Sequence, residues 1–348
     1  MLILAIETSC DETSAAVVLC EDNVFTVKSN IISSQIEFHQ KFGGVVPENA
    51  SRMHIECVSQ VVDDALAVAE VGFDDVDSIA VTHAPGLVGA LLVGVSYAKS
   101  LAAALGKPLI AVHHIEGHIC ANYITSPELK PPYVCLVASG GHSTVVKVSD
   151  YIDFTVLAKT RDDAAGEAFD KIARVLGLGY PGGPLISKAA EEGGASVFIF
   201  PRVRFDDSLD FSFSGVKTAV INTVHKLEQK NELIPISDIA ASFQSAVCEV
   251  LASHLIYAAL AEGVSDIALA GGVAANKLLR ELASRYAERH GIKLHIPTPI
   301  LCTDNAAMIA VRGYFSYIKG EFAGSDLNAI ATKNIELHSM FKTRQISY

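Results

Sequence analysis

Two histidines in the first half of the sequence have the spacing of metal ligands. His114 and His118 lie four positions apart, and on a helix such residues share a face with Cβ atoms about 5–6 Å apart. Imidazole nitrogens so placed can bind one metal ion. Glu116 takes the third position of this HxxxH pattern, so the segment is not the HExxH motif of zinc peptidases. A polar strand–helix junction would also account for the pair, so a metal site requires a third ligand.

The segment Cys302–Asn305 is the candidate source of that third ligand. It follows a predicted strand and opens a predicted helix, and Asp304 offers a carboxylate oxygen. The same residues are also typical of a helix start, where Thr303 would cap the helix and Asp304 would occupy its first turn. Asp304 is therefore a metal ligand only if the fold brings it beside His114.

Two polar turns between apolar strands have the residues to bind an anion. In Glu7–Ser14, hydroxyls and backbone N–H groups could hold phosphate oxygens, while Asp11 could orient a proton or a metal-bound water. The second turn, Ser139–Ser143, has paired glycines, which let backbone N–H groups approach an anion without an obstructing Cβ. Each turn alone would also fit an ordinary hairpin. Because they occupy equivalent places in an apparent duplication, we interpret them as two loops that hold one nucleotide.

Two further glycine-containing turns are predicted in the second half of the sequence. Pro181–Pro184 is one, and Gly271–Asn276 is another, which follows a predicted strand and opens a helix. There the backbone could lie against an adenine or ribose, with Asn276 offering both a donor and an acceptor. Tight strand–helix packing would also select glycine at this point. Near the start of an earlier predicted helix, Glu167 and Asp170 share a face and could meet substrate hydroxyls.

Strands and helices alternate along the chain that carries these residues. A strand–turn–strand pattern at Ile3–Leu19 recurs about 130 residues later at Val134–Val148, which predicts two duplicated lobes with open α/β sheets. Ligands of such sheets bind at the carboxyl ends of strands, where the turns described above fall. Residues 193–235, punctuated by Pro, Gly and Ser, are predicted to be an irregular insertion. The longer predicted helices are Pro47–Val71, Leu87–Leu105, Asp162–Leu176, Ile236–Gly263, Ala274–Arg289 and Thr303–Lys319.

Composition narrows the class of protein. The chain has 348 residues, enough for two domains of ordinary size, and half of them are apolar. Seven scattered cysteines without a CxxC pair suit a reducing cytoplasm. We expect no membrane-spanning run, and no signal segment because Met1 leads directly into a predicted strand. The net charge of −12 argues against a strong nucleic-acid surface on this chain alone, although a basic partner could supply that charge.

Nine stretches, in order from the first strand to the last long helix, support comparison with a known family. They are AIETSCDETSAAV, FGGVVPENASRMH, THAPGLVGALLVG, HHIEGH, LVASGGHS, TRDDAAGEAFDKIARVLGLGYPGGP, FSFSGVKTAV, GGVAANKLLR and CTDNAAMIA. Together they closely resemble the transfer-RNA threonylcarbamoyltransferase family in its bacterial TsaD form, formerly described as O-sialoglycoprotein endopeptidases. The resemblance covers nearly the entire chain.

The resemblance implies a fold and a division of the chain. The fold would be α/β, with two duplicated lobes of the actin-like and sugar-kinase-like (ASKHA) type and the active site in the cleft between them. The first lobe would comprise residues 1–131 and the second residues 132–320, with the insertion near 193–235. Residues 321–348 would form a C-terminal extension that packs back on the first lobe.

The resemblance also implies a metal site. His114, His118 and Asp304 would hold one divalent ion, Fe²⁺ or Zn²⁺. Archaeal and eukaryotic relatives add a tyrosine ligand from the strand before the second turn, but here Cys135–Ala138 contains no tyrosine. A water or substrate oxygen would fill the open position, as is usual for catalytic metals.

Catalytic and substrate-binding residues are implied in the same way. Asp11 and Glu12 match acids considered important for activity in the family. The residues that would bind the substrate are Val137, Ala138, Ser139, Gly140, Gly141, Asp170, Gly183 and Asn276.

The implied reaction transfers a threonylcarbamoyl group from threonylcarbamoyl-AMP to N6 of adenosine 37 in tRNA. A metal would polarise the carbonyl or hold the threonyl carboxylate, and the glycine turns would hold the AMP. Asp11 could remove the amine proton if the geometry allows it. The target base lies in an RNA loop, so no duplex has to be opened. The implied partners are tRNA, a TsaB-like paralogue and a TsaE-like ATPase, all in the cytoplasm and without a membrane.

Two other classes of protein are compatible with parts of the sequence. The first is a metalloprotease, against which the absence of the HExxH glutamate argues. The second is an ATP-dependent kinase or chaperone of the same fold. Paired histidines argue against it, because such proteins bind magnesium through carboxylates and phosphates.

Overall fold

Two five-stranded sheets organise the chain, and their strands follow the same order. The computed structural model describes residues 1–335, and the strands in this range are β1 (Leu2–Glu7), β2 (Glu12–Glu21), β3 (Val24–Ser34), β4 (Ser78–Ala84), β5 (Leu109–His113), β6 (Tyr133–Ala138), β7 (Ser143–Asp150), β8 (Asp153–Lys159), β9 (Asp266–Ala270) and β10 (Lys293–His295). The first sheet has the order β3-β2-β1-β4-β5 and the second β8-β7-β6-β9-β10. The predicted duplication of an α/β unit is therefore confirmed.

Helices connect most of these strands. The helices of the described chain are α1 (Ile36–Gln40), α2 (Pro47–Ala69), α3 (Val88–Leu105), α4 (His114–Cys120), α5 (Asn122–Thr125), α6 (Ala165–Val175), α7 (Gly182–Ala190), α8 (Ser214–Gln229), α9 (Ile236–Glu262), α10 (Lys277–Arg289), α11 (Pro299–Cys302) and α12 (Ala306–Lys319). The chain divides into two compact units. The first unit comprises residues 1–131, 150–154 and 296–335, and the second comprises residues 132–149 and 155–295.

In the first unit, β1 is the central strand of its sheet. It pairs antiparallel with β2 and parallel with β4, and β4 pairs parallel with β5. The continuous apolar run Leu2–Ile6 suits a strand covered on both faces, and four of its five residues are fully buried. Because β1, β4 and β5 are parallel, their carboxyl ends lie at the same edge of the sheet. Glu7 and His113, the last residues of β1 and β5, are therefore at that edge.

The second unit repeats this arrangement. β6 pairs antiparallel with β7 and parallel with β9, and β9 pairs parallel with β10. Val137 is in register with Ala270, so the turns that follow β6 and β9 emerge side by side. These turns begin at Ser139 and Gly271. They lie at the carboxyl ends of neighbouring parallel strands, where α/β sheets usually bind ligands.

The prediction of irregular structure for residues 193–235 is wrong for part of that segment. Residues Ser214–Gln229 form α8, and they bury Val216, Val220 and Val224, which recur at a helical spacing of four. This apolar stripe was visible in the sequence, but the Pro, Gly and Ser residues around it obscured it.

A second difference concerns the start of α6, which was predicted at Asp162 and begins at Ala165. The Asp162 carboxylate instead accepts hydrogen bonds from the backbone N–H groups of Phe213 and Ser214, at 2.8 and 3.3 Å. The acid therefore stabilises the start of α8 and does not belong to α6.

Residues 321–335 run across the first unit without regular secondary structure. The backbone N–H of Ala323 donates to the carbonyl of Leu109 at 2.8 Å, and that of Ile330 donates to the carbonyl of His83 at 2.9 Å. These bonds tie the segment to β5 and β4. The remainder of the predicted C-terminal extension, residues 336–348, lies outside the described residues.

By length and composition alone, two helices of the described chain could cross a membrane, which differs from the sequence expectation. They are α3, Val88–Leu105, and α9, Ile236–Glu262. In α9 the most apolar window is 89% buried within the protein, as in the core helix of a soluble protein. In α3 the corresponding value is 33%, but its buried residues pack on α2 and β4 of the first sheet.

Candidate functional site

The first unit brings the two histidines of the HxxxH pattern to one aspartate. His114 and His118 lie on α4, which follows β5 directly, and Asp304 precedes α12. Nε2 of His118 is 3.1 Å from Oδ1 of Asp304, and Nε2 of His114 is 3.5 Å from the same oxygen. One ligand atom from each of the three residues lies within 4.8 Å of the others. We call these three residues, which are candidate ligands of one metal ion, the metal cluster.

Contacts at the start of α12 fix the position of Asp304. The side chain of Asn305 caps the helix by accepting a hydrogen bond from the N–H of Met308 at 3.1 Å. The N–H of Ala306 donates to Oγ of Ser14, on β2, at 2.9 Å. The alternative in which Thr303 caps the helix and Asp304 belongs to its first turn is therefore wrong. Asp304 stands one residue before the cap.

The electrostatics of the metal cluster suit a cation. His114 and His118 are almost completely buried, and Glu7 beside them is fully buried. Burial alone would lower the pKa of His114, but the carboxylates of Asp304 and then Glu7 raise it to about 9. Burial lowers the pKa of His118, so this ring is a neutral donor near pH 7. Two imidazoles and a carboxylate, with a second carboxylate behind them, are a donor set typical of catalytic iron or zinc.

Glu116 takes no part in the metal cluster, although it lies between the two histidines in sequence. Its Oε2 accepts a hydrogen bond from Nε of Arg312 at 2.7 Å, and both residues line a cavity of about 280 Å³ in the first unit. Burial raises the pKa of Glu116, and the Arg312 guanidinium opposes that increase. Its carboxylate is thus ion-paired and does not take the place of the glutamate of a zinc peptidase.

Asp11 and Glu12 lie at the end of the turn that follows β1. Asp11 is buried, and its carbonyl accepts a hydrogen bond from the N–H of Gln35 at 3.0 Å. Glu12 begins β2 and accepts a hydrogen bond from Oγ of Ser34 at 3.2 Å. Burial, followed by the charges of Asp11 and Asp304, raises the pKa of Glu12 well above its usual value. The two predicted catalytic acids thus share one electrostatic environment with the metal cluster.

The predicted substrate residues Val137–Gly141 form the end of β6 and the turn after it. Val137 and Ala138 are fully buried in the sheet, so they support the turn from behind. In the turn, the N–H of Ser139 donates to the carbonyl of His142 at 2.8 Å, and Oγ of Ser139 accepts from the N–H of His142 at 3.2 Å. These bonds hold the turn that contains Gly140 and Gly141.

Glycines near this turn fall into two groups. A Cβ added to Gly166 would lie 2.6 Å from the carbonyl oxygen of Ser139, and one added to Gly271 would lie 2.4 Å from that of Ala138. These glycines are needed for packing. By contrast, a Cβ on any of the glycines in the second group would meet no described atom within 4 Å; these are Gly140, Gly141, Gly183 and Gly272. Backbone at the second group of glycines can therefore be approached by a ligand.

The other two predicted substrate residues support their own turns. Oδ1 of Asp170 accepts a hydrogen bond from the N–H of Gly182 at 2.7 Å. Oδ1 of Asn276 caps α10 by accepting from the N–H of Leu279 at 3.1 Å, while its Nδ2 donates to Ser187 and Gln244. The interpretation that Asn276 meets a nucleotide stays a prediction, and its side chain has a structural role in any case.

Sequence reasoning assigned no role to Glu7, which the structure places directly behind His114. Oε2 of Glu7 is 3.1 Å from Nδ1 of His114. The sequence did contain an indication of this role, because Glu7 ends an otherwise apolar strand. A charged side chain buried at such a position requires a partner of opposite charge or hydrogen-bond donors.

Fold and site together define a class of protein. Two repeated sheets with the strand order described above form an actin-like, sugar-kinase-like (ASKHA) fold, and its first unit carries a histidine–aspartate metal cluster. HypF of T. kodakarensis has the same fold, with a TM-score of 0.60 and 16% identity over 94% of this chain and 49% of that protein. The (R)-2-hydroxyglutaryl-CoA dehydratase component A of Acidaminococcus fermentans gives a TM-score of 0.52 and 14% identity over 91% of this chain and 98% of that protein. At these identities the likeness shows the fold alone.

Sequence comparison places the chain in one family of this class. Residues 26–311 match the family TsaD, tRNA N6-adenosine threonylcarbamoyltransferase. The tRNA N6-adenosine threonylcarbamoyltransferase of Clostridium perfringens (strain SM101) is 60% identical over 329 residues, which cover 94% of this chain and 96% of the relative. The enzyme of that name from Clostridium novyi (strain NT) is 58% identical over 330 residues, with the same coverage of both chains. The chain belongs to the TsaD family, which confirms the resemblance found in its motifs.

Proposed function

We propose that this chain transfers the threonylcarbamoyl group from threonylcarbamoyl-AMP to N6 of adenosine 37 in tRNA. The observation that carries the proposal is the 60% identity, over 94% of the chain, with relatives named for threonylcarbamoyl transfer to tRNA adenosine N6. In this step the N6 nitrogen attacks the carbamoyl carbon and a C–N bond forms. The bond from that carbon to the phosphate oxygen breaks, AMP leaves with the electron pair, and N6 loses a proton.

The metal cluster would hold the divalent ion of this reaction. His114, His118 and Asp304 supply two nitrogens and an oxygen, and we propose Fe²⁺ or Zn²⁺ as the ion because imidazole and carboxylate suit both. Such an ion acts as a Lewis acid toward a carbonyl or carboxylate oxygen. Three elements hold the ligands in place: β5 leads into the helix with the two histidines, β1 ends beside them, and the start of α12 positions Asp304.

Asp11 is the residue to which we assign the proton from N6. An exocyclic adenine amine is a poor nucleophile, so a positioned base assists its attack. Asp11 is buried at the end of the turn after β1, next to Glu12, whose raised pKa favours its protonated form. Of the two predicted catalytic acids, Asp11 is therefore the one we expect to accept a proton.

The second unit would bind the AMP part of the donor. The open glycines Gly140, Gly141 and Gly183 leave backbone accessible, and backbone N–H groups bind phosphate without added charge. Ser139, which is partly exposed, would contribute its hydroxyl, and the buried Val137 and Ala138 would hold the turn in place. Asp170 and Asn276 would complete the proposed set, in part by holding the neighbouring turns.

The partners we propose follow from the family and from charge. tRNA is the acceptor, and a TsaB-like paralogue and a TsaE-like ATPase would assist in the cytoplasm. The net charge of −12 means that this chain alone offers a weak electrostatic surface for RNA. Partner surfaces would supply part of the missing positive charge.

Reconstitution tests the proposed reaction. The chain is mixed with its partner proteins, an adenylate-forming enzyme, tRNA, threonine, bicarbonate and ATP, and the digested tRNA is analysed by nucleoside mass spectrometry. We expect threonylcarbamoyladenosine to form only when the chain is present. A mixture that accumulates the adenylate but leaves adenosine 37 unmodified would refute the reaction.

Asp11→Ala tests the assignment of the base within the same mixture. We expect the rate to fall by about 10²–10⁴-fold, the usual effect of losing a general base. Metal content should stay at the wild-type level, because Asp11 is outside the metal cluster. Asp74→Ala, which removes an exposed acid elsewhere in the first unit, is the matched control and should be fully active. Full activity of Asp11→Ala would remove that residue from the mechanism while leaving the reaction intact.

A further inference from the structure

Glu7 is the last residue of β1, and its carboxylate lies against a proposed metal ligand. The side chain is fully buried. Its Oε2 lies 3.1 Å from Nδ1 of His114 and accepts a hydrogen bond from Oγ1 of Thr82 at 2.5 Å. Its Oε1 accepts a hydrogen bond from the N–H of Ser9 at 2.5 Å. Three donors therefore surround one carboxylate.

The charge of Glu7 points to the same neighbour. An ionised carboxylate buried without a partner is very unfavourable, so such groups are paired or face a metal site. Within residues 1–335, the ion-pair partner of Glu7 is His114. The groups hydrogen-bonded to its two oxygens are donors, as an ionised carboxylate requires. Glu7 thus places a negative charge behind the ring that it contacts.

The surroundings of Glu7 also select one form of the His114 ring. A carboxylate only accepts hydrogen bonds, so Nδ1 of His114 must be the nitrogen that carries hydrogen toward it. The other nitrogen, Nε2, faces the side where Asp304 lies, 3.5 Å away, and is the nitrogen left to bind a metal ion once it has lost its own hydrogen. Oγ of Ser9, at 3.1 Å from Nδ1, lies on the same side of the ring as Glu7.

We infer that Glu7 is a positioning residue for the metal cluster, which holds His114 in the form that binds metal through Nε2 and strengthens that binding with its charge. The inference rests on the proposed metal site. Carboxylates that accept a hydrogen bond from a ligating histidine raise its basicity and fix its orientation. β1 is suited to this task because it is hydrogen-bonded on both sides, to β2 and β4, and cannot shift easily. His118 lacks such support, since its Nδ1 has no hydrogen-bond partner in the described chain.

Glu7→Gln tests this role, with metal binding as the readout. Glutamine keeps the size of the side chain but removes its charge, and its NH₂ group would face one of the three donors. Affinity for Zn²⁺ is measured by competition with a chromophoric chelator, and the absorption spectrum of the Co²⁺-loaded protein reports ligand geometry. We expect the affinity to fall about 10–100-fold and the Co²⁺ bands to shift. Thr82→Val, which removes one donor to Glu7, should cause a smaller loss in the same direction.

Glu116→Gln is the matched control. It also neutralises a largely buried glutamate of the first unit, two residues from each histidine, but this glutamate pairs with Arg312. We expect wild-type Zn²⁺ affinity and an unchanged Co²⁺ spectrum, whatever the effect on thermal stability. An equal loss of metal in Glu116→Gln would mean that any buried acid matters, and would overturn the specific role of Glu7.

The remaining outcomes separate the inference from the metal site itself. Wild-type affinity and spectrum in folded Glu7→Gln would overturn the role of Glu7 and leave the metal site standing. If Glu7→Gln does not fold, Thr82→Val decides, and unchanged affinity in that variant overturns the inference. Absence of Zn²⁺ and Co²⁺ binding by the wild-type protein would overturn both.

Discussion

The carboxyl edges of the two sheets share a strand order but expose different kinds of groups. In the first unit, functional atoms belong to side chains, with the imidazoles and carboxylates of the metal cluster and Glu7 packed within hydrogen-bond distance. In the second unit, the turns after β6 and β9 leave backbone accessible at glycines, and the predicted residues Val137 and Ala138 are fully buried. The function proposed above thus assigns the cation to one edge of a duplicated fold and the anion to the other.

This difference decides which substitutions are informative. A site made of side chains fails when a side chain is removed, whereas a site made of backbone fails when a side chain is added. We therefore expect truncations in the metal cluster and additions at the open glycines to impair different functions. If one substitution abolished both metal binding and AMP binding, the proposed separation of the two functions between the units would be wrong.

The largest expected effect is that of His118→Ala on metal binding. His118 contributes Nε2, 3.1 Å from Asp304, and its loss leaves only two of the three ligands. We expect Zn²⁺ affinity to fall by more than about 100-fold, since even residues behind the ligands contribute 10–100-fold. Metal content after dialysis, measured by atomic emission, checks this. AMP binding by the second unit should be unchanged.

His290→Ala provides the control, because it removes an exposed histidine of the second unit. It should retain the metal. If His118→Ala binds as much zinc as the wild-type protein, His118 is not a ligand and the metal cluster is wrongly assigned.

The next effect is that of Gly141→Val on AMP binding. The added side chain would enter the space at the open turn, where no described atom lies within 4 Å of the Cβ position. The fold should survive, but a phosphate could no longer reach the backbone. Hydrogen bonds to charged groups contribute about 1.5–3 kcal/mol each, so we expect affinity to fall at least about tenfold by calorimetry. Metal content should remain that of the wild-type protein.

Gly166→Ala separates ligand contact from packing in the same region. Its Cβ would lie 2.6 Å from the Ser139 carbonyl oxygen, so we expect destabilisation of about 1–3 kcal/mol in thermal unfolding. Unchanged AMP affinity in a folded Gly141→Val protein would mean that the Ser139–Ser143 turn only connects two strands.

Most of the fold was predictable because strong local patterns determine it. The apolar run that forms β1 and the long apolar helix α9 were recognised with ends within one or two residues of those observed. Residues 214–229 were missed because Pro and Gly nearby suggested irregular structure. The valine stripe of α8 is explained only by the fold, which places α8 against the helices α6 and α9. The start of α6 was misplaced because the Asp162 carboxylate accepts a hydrogen bond at the start of another helix, from Phe213, 51 residues away in sequence.

The site was predictable to the extent that its residues form motifs. The spacing of His114 and His118 gave two ligands, but nothing local tied Asp304 to them, and only the family resemblance supplied that link. The structure adds the physical link, because Ser14 holds the start of α12 beside the turn after β1. Glu7 was not assigned, since its contact with His114 joins residues 107 positions apart.

The smallest effect for a single step, at most about tenfold per pH unit, is the pH dependence of metal binding, and it separates the two edges most clearly. In the metal-free protein the pKa of His114 is raised to about 9, so the ring is protonated at neutral pH. That proton must leave before Nε2 can bind a metal, so apparent Zn²⁺ affinity should decrease as the pH falls below about 9, by up to about tenfold per pH unit. The pKa of His118 is lowered by burial, so protons do not compete with the metal for this ring between pH 7 and 9.

Backbone N–H groups do not titrate in this range, and the phosphate of AMP, with a second pKa near 6, stays ionised. AMP affinity should therefore be constant where Zn²⁺ affinity changes. Chelator competition and calorimetry at pH 7, 8 and 9 test both, and a Zn²⁺ affinity that does not vary with pH would contradict the charge state assigned to His114.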